Sequence, residues 1–461
     1  MSPEPIADLV PVILAGGSGT RLWPASRARL PKHLVDLFGA HSLLQTTAQR
    51  ITALAPQGRL LTVAAAGQAA LVRRQLESLA PGLARHLVLE PEARNTAAAV
   101  ALAALYVAEV WGPETLLWVC PSDHLVTAPQ PLYAAVASGA VAARAGRLVT
   151  FGITPTRAET GYGYIRAGAP LAAAPGVLEA ASFVEKPALD RAEAMLADGG
   201  YAWNSGMFLL RASTILDEMQ AHAPAILRAV RAAMGPIAAG TTVLDPDAFA
   251  VVPAEPIDKA VMERSSKVAV VPCAPGWSDV GSWHAIWEIE DRDAAGNALG
   301  GDARVVGGRG NLVRAESRLV ALAGVDDLAV IETADAVMVA RREDSEAVKL
   351  LVGGLVAEGR AEAIRHRHEP MSWGVLTRLV ERPGYALRER LIDPGAVVEL
   401  EAEACAGVSW TVVDGTLELG AADDGAKDIT AGAGIAAETG AAHRLANRGS
   451  APLRLLELQL G

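Results

Sequence analysis

The chain has 461 residues, of which 51% are apolar and 20% charged, and its formal net charge is -11. This length exceeds what one hydrophobic core usually organises, so two or three domains are expected. The apolar content excludes a disordered chain, and the negative charge argues against general affinity for nucleic acid or anionic membranes. Phosphate binding is still allowed, because it needs only a few local cations and backbone N–H groups.

Three sequence features predict a cytoplasmic location. The N-terminus has no basic segment leading into an apolar stretch, so no signal peptide is expected. No uncharged apolar run is long enough to span a bilayer. Cys120, Cys273 and Cys405 are far apart and form no CxxC pair, which is typical of reduced thiols in the cytoplasm.

The first 290 residues alternate short apolar runs with alanine-rich stretches that suit helices. The clearest apolar runs are residues 9–17, 59–67, 85–91 and 115–123. This alternation predicts an α/β domain with a parallel sheet covered by helices on both faces. Ligands of such sheets bind beyond the carboxyl ends of the strands, where Gly16 and Asp123 fall.

The pattern changes near residue 295. Brief Val, Leu and Ile runs broken by Gly, Asp and Asn cover residues 297–340 and predict a small β-helix or β-roll. A charged helical stretch follows at 344–368, where we interpret His366 and His368 as solvated linker residues. From Trp373 onward, short strands with turn signals predict an all-β domain, most simply a small sandwich or barrel.

The strongest local signal is the glycine-rich run Leu-Ala-Gly-Gly-Ser-Gly-Thr-Arg-Leu-Trp-Pro at 14–24. Glycines after a buried strand let the backbone turn sharply and present N–H groups to phosphate. Arg21 can form a fork to a triphosphate, and Lys32 can act as a cation near the reacting phosphates. The run is not a Walker A loop, and Leu22 replaces the third glycine of a dinucleotide fingerprint.

This run resembles the signature of the sugar-nucleotide pyrophosphorylases, and its Leu-Trp-Pro form is similar to that of the mannose-1-phosphate guanylyltransferases. Further motifs resemble those of the same family and follow in the family's order. They are EPEARNTAAAV (90–100), CPSDH (120–124), ETGYGYI (159–165), FVEKP (183–187), WNSGMF (203–208), IDKAVME (257–263) and WSDVGSW (277–283). The resemblance extends over most of the chain.

The resemblance implies a Rossmann-like α/β nucleotidyltransferase domain with a mixed, mostly parallel sheet at 1–290. It also implies a β-helix-like segment with a helical linker at 291–369, and a C-terminal all-β cupin-like domain at 370–461. The implied reaction transfers GMP from GTP to α-D-mannose 1-phosphate, giving GDP-mannose and pyrophosphate. The sugar phosphate attacks in line without a covalent intermediate, so catalysis is mainly positioning and electrostatics.

The resemblance also assigns roles to individual residues. Arg21, Lys32 and Asp123 are expected to be catalytic. Matching aspartates hold the metal in this family, so Asp123 and Asp279 are expected to bind Mg²⁺ (or Mn²⁺), which compensates charge on the triphosphate. GTP and mannose 1-phosphate are the expected partners, and a homo-oligomer is left open.

Two groups of residues are expected to bind the substrates. The nucleotide-binding group comprises Leu14, Ala15, Gly16, Gly17, Ser18, Gly19, Thr20, Arg94, Asn95 and Thr96. The sugar-phosphate group comprises Tyr162, Gly163, Glu185, Lys186 and Asn204. Lys259 departs from the family pattern, in which Tyr follows Ile-Asp, and no role is assigned to it.

Many members of the family carry a C-terminal cupin-type domain that isomerises mannose 6-phosphate with a bound metal. The C-terminal sequence resembles that domain, but its metal ligands do not match. Alignment on Trp410 puts Glu403 and Cys405 at the two histidine positions and Val408 at the glutamate position, and only His443 matches. Because functional metal sites typically need three or four protein ligands, we expect the isomerase activity to be absent.

Three alternatives stay open at this point. They are a nucleotidyltransferase for another hexose 1-phosphate, a bifunctional enzyme that retains the isomerase, and a catalytically dead nucleotide-sugar sensor. The joint presence of Arg21, Lys32, Asp123 and Asp279 argues against the sensor. The missing cupin ligands argue against the bifunctional enzyme.

Overall fold

A computed structural model describes residues 4–17, 19–401, 407–421, 424–437 and 442–461. The chain divides into two compact units. The first contains Met1–Gly19 and Pro31–Ile289, and the second contains Thr20–Leu30 and Glu290–Gly461. The short segment after the glycine-rich run therefore belongs to the second unit. The domain boundaries expected after residues 290 and 369 stay predictions.

The first unit is built on one large mixed sheet. Its strands are β1 (Leu9–Ala15), β2 (Leu61–Ala65), β3 (His86–Glu90), β4 (Leu116–Pro121), β5 (Leu125–Val126), β6 (Leu148–Ile153), β7 (Gly163–Pro170), β8 (Leu178–Glu185), β9 (Tyr201–Arg211), β10 (Thr241–Val243), β11 (Val268–Cys273) and β12 (Trp277–Ser278). The large sheet has the order β10-β3-β2-β1-β4-β9-β6-β11-β8-β7. Only β8 and β9 among the described strands of this sheet run against the common direction. The predicted mixed, mostly parallel sheet is confirmed.

Helices connect and cover these strands. They are α1 (Leu43–Thr52), α2 (Ala69–Glu77), α3 (Asn95–Val110), α4 (Pro129–Arg144), α5 (Leu189–Asp198), α6 (Ala212–His222), α7 (Pro224–Met234), α8 (Pro246–Ala250) and α9 (Trp283–Ile289). Helix α3 is buried from Ala97 to Val107 and packs against α6, α7 and β1. Its alanines favour the helix and let its neighbours approach closely. Among the described residues, no helix is both long and apolar enough to cross a membrane.

Two features of the sheet gather polar residues at one edge. Strands β3, β2, β1 and β4 lie side by side in this order and run parallel, so their carboxyl ends meet at the same edge of the sheet. The short β12 then pairs antiparallel with β5, which places Ser278 opposite Leu125. This pairing returns the chain at Asp279 to the end of β4, where Asp123 lies.

After Glu290, the second unit contains a small β-helix-like segment, as predicted. Strands β13 (Ala298–Val306), β14 (Leu312–Ala323) and β15 (Leu328–Thr333) pair in parallel, and β16 (Ala336–Arg341) closes the sheet antiparallel to β15. Helix α10 (Ser345–Ala357) follows. Its N-terminus is capped by the Asp344 side chain, which accepts from the Ala347 amide at 2.9 Å.

The rest of the second unit is all-β and cupin-like, as predicted. Its strands are β17 (His368–Met371), β18 (Gly374–Arg382), β19 (Tyr385–Ile392), β20 (Val397–Leu400), β21 (Gly407–Asp414), β22 (Thr416–Ala421), β23 (Asp424–Thr430), β24 (Gly434–Ala437), β25 (His443–Asn447) and β26 (Leu453–Leu460). They form two sheets, β17-β18-β19-β26-β21-β24 and β20-β25-β22-β23. Buried apolar residues fill the core, among them Trp410, Leu417, Leu445 and Leu455.

The interpretation of His366 as a solvated linker residue is wrong, whereas His368 is exposed as expected but lies in a strand. The His366 ring is half-buried, and its Nε2 lies 3.0 Å from the Ala25 carbonyl oxygen. Burial lowers the pKa of His366 to about 4. His368 is exposed but opens β17, and its Nδ1 lies 3.0 Å from the Thr377 hydroxyl oxygen. Long-range pairing, which the local charge pattern does not reveal, decides both environments.

Candidate active site

A cavity of about 630 Å³ opens at the carboxyl edge of the large sheet, a volume suited to a nucleotide-sized ligand. Most of the predicted site residues line it. They are Leu14, Ala15, Gly16, Gly17, Arg94, Asn95, Thr96, Asp123, Tyr162, Gly163, Glu185, Lys186, Asn204 and Asp279. The structure therefore brings together residues that are up to 265 positions apart in the chain.

The remaining predicted residues are not among the described residues that line the cavity; one of them is Lys32, whose contacts are described below. Ser18 is outside the described residues, and Gly19 does not line the cavity. Thr20 and Arg21 belong to the second unit. There, an exposed Arg21 guanidinium nitrogen lies 3.0 Å from Glu346 Oε1 on α10.

Lys32 links the two aspartates expected to bind metal. Its side chain is almost fully buried, with Nζ 2.8 Å from Asp123 Oδ2, and it donates to the Asp279 carbonyl oxygen at 2.7 Å. Burial would raise the pKa of the Asp123 carboxyl, but the Lys32 ammonium outweighs it and lowers the pKa to about 2. Asp123 is therefore a carboxylate at neutral pH.

The Tyr162 hydroxyl is engaged by Asp279. It donates to Asp279 Oδ1 at 2.6 Å, and the same oxygen accepts from the Gly281 amide at 3.2 Å. Burial and the charge of Asp279 raise the pKa of Tyr162, so the phenol stays a donor. Its ring packs edge-on against Trp203 and Trp277, at 5.2 Å from each ring centroid. These contacts hold Asp279 in one orientation.

The aspartate pair fits a divalent cation completed by substrate. Among the described residues, no hydrogen-bond donor reaches Oδ1 of Asp123 or Oδ2 of Asp279. Mg²⁺ is commonly held by one or two carboxylates together with substrate phosphates and water. In the described part of the chain, no group of three or more His, Cys, Asp or Glu side chains is arranged to hold a metal alone. The phosphates of a substrate would therefore have to supply ligands.

Glu90, the last residue of β3, lines the cavity and was missed by the sequence analysis. Its Oε1 is buried and has no hydrogen-bond partner among the described residues. Burial raises the pKa of this carboxyl to about 7. A buried polar atom without a partner is unusual and suggests that a ligand completes it. The available signal was its position, first in the EPEARNT motif and directly after a buried strand.

The N-terminus of α3 also borders the cavity. Asn95 adopts a left-handed backbone conformation with φ of 66°, and its Oδ1 accepts from the Thr96 amide at 2.8 Å. The Thr96 hydroxyl accepts from the Ile257 amide at 2.9 Å, while Arg94 bonds to Glu92 and to the Ala250 carbonyl. The side chains of Arg94 and Thr96 thus hold the loop in place. The helix N-terminus itself favours a negatively charged ligand.

A second group of cavity-lining residues is rich in carboxylate and amide groups. Asn204 Nδ2 donates to Asp258 Oδ1 at 2.8 Å, and Asn204 Oδ1 accepts from the Thr150 hydroxyl at 2.9 Å. Glu185 and Lys186 form an ion pair at 3.4 Å. A Cβ atom at Gly163 would lie 2.7 Å from Glu185 Oε2, so glycine is needed there to leave Glu185 in place.

Asp258, which the sequence analysis also missed, lines the same cavity. It opens a π-helical turn, Asp258–Met262, a feature that is frequent at functional sites. Burial, reinforced by the charge of Glu185, raises the pKa of Asp258 to about 7. Lys259, the residue questioned in the same motif, is exposed and is not among the cavity-lining residues.

Family models match successive parts of the chain. Residues 10–296 match the nucleotidyl transferase family, residues 302–355 the mannose-phosphate isomerase/GMP-like β-helix domain, and residues 358–461 the mannose-6-phosphate isomerase C-terminal domain. These matches follow the order of the α/β and β-rich parts described above.

Similar proteins match this chain in sequence over nearly their full length. The chain is 41% identical to xanthan biosynthesis protein XanB of Xanthomonas campestris pv. campestris (strain B100), covering 99% of this chain and 96% of that protein. It is 39% identical to mannose-1-phosphate guanylyltransferase of Escherichia coli (strain K12), with the same coverage. The crystal structure of mannose-1-phosphate geranyltransferase from Thermus thermophilus superposes with a TM-score of 0.68 and 32% identity, covering 76% of this chain and 99% of that one.

The resemblance drawn from the sequence motifs is thus confirmed by matches that cover the chain almost from end to end. Lys32, Asp123 and Asp279 all lie inside the region matched by the first model. This chain belongs to the nucleotidyl transferase family, in the form that carries a β-helix and a mannose-6-phosphate isomerase-type C-terminal domain.

Proposed function

We propose that the chain transfers GMP from GTP to α-D-mannose 1-phosphate and releases GDP-mannose and pyrophosphate. The observation that carries the proposal is the cavity lined by Asp123 and Asp279, with the Lys32 ammonium 2.8 Å from Asp123 Oδ2 and 2.7 Å from the Asp279 carbonyl oxygen. The glycine turn and the start of α3 line the same cavity and offer backbone N–H groups to phosphate. The naming of the Escherichia coli relative as a mannose-1-phosphate guanylyltransferase supports the same reaction.

The chemistry proposed is direct in-line displacement. An oxygen of the sugar phosphate attacks the α-phosphorus of the triphosphate, the bond to the β-phosphate bridging oxygen breaks, and pyrophosphate leaves with the electron pair. Lys32 is placed to offset negative charge near Asp123, and the α3 N-terminus offers backbone donors. A bound Mg²⁺ would offset further charge on the triphosphate. Cys120 is fully buried and its pKa is raised to about 12 by burial, which argues against a thiolate nucleophile.

Glu90 supports selection of guanine. The Watson–Crick edge of guanine offers two neighbouring donors, N1–H and N2–H, and an ionised carboxylate accepts both side by side. Adenine presents an acceptor at N1, which would face the carboxylate unfavourably. An unpartnered carboxylate oxygen near the α3 N-terminus therefore favours GTP over ATP.

The carboxylate and amide groups of the cavity lining support a hexose phosphate as the second substrate. Glu185, Asn204 and Asp258 offer acceptors and donors to sugar hydroxyls, and Lys186 offers a cation to the sugar phosphate. The proposal for mannose in particular rests on the similar proteins, because several hexoses share this pattern of hydroxyl groups.

The test is pyrophosphate release across a grid of nucleoside triphosphates and hexose 1-phosphates with Mg²⁺. GTP with mannose 1-phosphate should give the highest kcat/KM. A higher value with another hexose would establish the alternative transferase, and no turnover with any pair would favour the sensor.

Asp123→Asn should lower kcat by at least about 100-fold, in line with the loss of a preorganised charge in an active site. Asp190→Asn, an exposed aspartate in the first turn of α5, is the matched control and should leave kcat unchanged.

We also propose that the isomerase activity is absent. Glu403 and Cys405, which replace the expected histidines, lie outside the described residues, and Val408 lies in β21. His443 opens β25, with its ring 5.2 Å from that of Trp410. The residue types at these positions, with a single histidine, support the proposal.

A further inference from the structure

Residues 20–30 connect two parts of the candidate active site, yet they belong to the other unit. Before the segment, Gly16 and Gly17 line the cavity; after it, Lys32 contacts Asp123. Thr20–Leu30 itself is part of the second unit. The chain therefore leaves the first unit at Gly19 and re-enters it at Pro31.

Arg27 anchors this segment inside the second unit. Its side chain is completely buried, and all five guanidinium N–H donors are used. Nη1 donates to Asp335 Oδ2 at 2.7 Å and to the Arg365 carbonyl at 2.5 Å. Nη2 donates to Asp335 Oδ1 at 2.5 Å and to the Thr333 hydroxyl at 3.2 Å, and Nε donates to the Pro24 carbonyl at 3.0 Å.

The bidentate ion pair between Arg27 and Asp335 is a strong and directional interaction. Burial would raise the pKa of Asp335, but the hydrogen bonds and charge of Arg27 outweigh it and lower the pKa. Asp335 is therefore a carboxylate at neutral pH. Lysine has no planar fork and only three donors, so it cannot replace Arg27 in this position.

Further contacts hold the segment along its length. Trp23 Nε1 donates to the Glu362 carbonyl at 2.9 Å, and the Arg29 amide donates to the Ile364 carbonyl at 3.0 Å. The Ala25 carbonyl lies 3.0 Å from His366 Nε2. The segment is thus fixed between the turn after β15 and residues 362–366.

We propose that Arg27 and Asp335 are positioning residues for nucleotidyl transfer. Through them the second unit holds residues 20–30, the segment that follows the glycine turn and precedes Lys32. The inference rests on the proposed function. The glycine turn has little conformational preference of its own, because glycine has no Cβ and populates positive and negative φ about equally. Gly17 and Gly19 adopt φ of 93° and 58°. Its geometry therefore depends on how its outgoing end is held.

The test compares the full-length protein with its Asp335→Asn and Asp335→Ala variants. We expect KM for GTP to rise about 10- to 100-fold, because small misplacements of binding groups cost that much. KM for mannose 1-phosphate should stay within about twofold, since none of the residues proposed to bind the sugar phosphate is near residues 20–30 in the chain. A purely structural role would lower the amount of active protein and hence the apparent kcat, leaving both KM values unchanged. Asp335→Asn keeps the side-chain volume and serves if Asp335→Ala does not fold.

The matched control is Glu457→Gln. This variant weakens another buried ion pair of the second unit, Arg390–Glu457 at 2.8 Å, whose contacts do not involve residues 20–30. It should leave KM for GTP unchanged. An unchanged KM for GTP in both Asp335 variants, or an equal rise in Glu457→Gln, would overturn the inference.

Equilibrium titration with GTP separates this inference from the proposed function. Weaker GTP binding in Asp335→Ala than in Glu457→Gln supports the positioning role, and equal binding overturns it. Both results are independent of turnover. The absence of turnover in the unmodified protein would overturn the proposed function alone.

Discussion

Buried carboxyl groups give the candidate site its expected pH dependence. Glu90 has a pKa raised to about 7 by burial, so the free protein holds it protonated below that pH and ionised above it. Only the ionised form accepts from both N1–H and N2–H of guanine. We therefore expect KM for GTP to rise as the pH falls from 8 to 6.

Glu90→Gln tests this assignment. It should raise KM for GTP at pH 8 by about tenfold or more, the effect of losing a hydrogen bond to a charged group, and should flatten the dependence of KM on pH. Steady-state kinetics at pH 6, 7 and 8 measures both effects. Glu109→Gln, an exposed glutamate of α3, is the control. If Glu90→Gln retains the full pH dependence, guanine selection does not depend on Glu90.

Local motifs predicted some site residues and missed others for a physical reason. Lys32, Asp123 and Asp279 stand in recognisable runs after predicted strands, and the structure brings them together around the Lys32 ammonium. Glu90 and Asp258 stand in equally recognisable runs. What distinguishes them is burial beside the cavity, which arises from packing and not from local sequence.

At the scale of elements, asparagine side chains stabilise the turns of the β-helix-like segment. Asn311 is fully buried between β13 and β14. Its Nδ2 donates to Asn297 Oδ1 at 3.1 Å and to the Val325 carbonyl at 2.9 Å, and its Oδ1 accepts from the Leu328 amide at 3.0 Å. One side chain thus satisfies two backbone groups at the turn between β14 and β15 and also bonds to the Asn297 side chain.

Asn311→Ala should lower the free energy of unfolding of the second unit by about 3 kcal/mol, because it leaves buried backbone groups without partners. Urea unfolding followed by circular dichroism measures the loss. Arg304→Ala removes an exposed ion pair with Asp302 and a hydrogen bond to the Ala303 carbonyl, and should cost less than about 1 kcal/mol. A similar loss in both variants would mean that the asparagine contacts contribute little.

At the scale of the whole molecule, one nucleotidyl transferase unit is combined with a cupin-like unit whose expected metal-ligand positions mostly hold other residue types. With added Zn²⁺, Co²⁺ or Mn²⁺, we expect no interconversion of mannose 6-phosphate and fructose 6-phosphate. A single histidine at the expected positions is too few for a functional metal site. A coupled assay, run beside an active isomerase as the positive control, measures this. Metal-dependent turnover would contradict the expectation.

The sequence by itself determined the α/β part, the β-helix-like segment and the all-β part, because each depends on local periodicity of apolar residues and on turn residues. It also determined the family, through motifs in a fixed order. Only the tertiary structure decided that residues 20–30 belong to the second unit, that Tyr162 bonds to Asp279, and that Glu90 is a buried carboxyl whose Oε1 has no partner among the described residues. These features depend on contacts between distant parts of the chain, which no local pattern encodes.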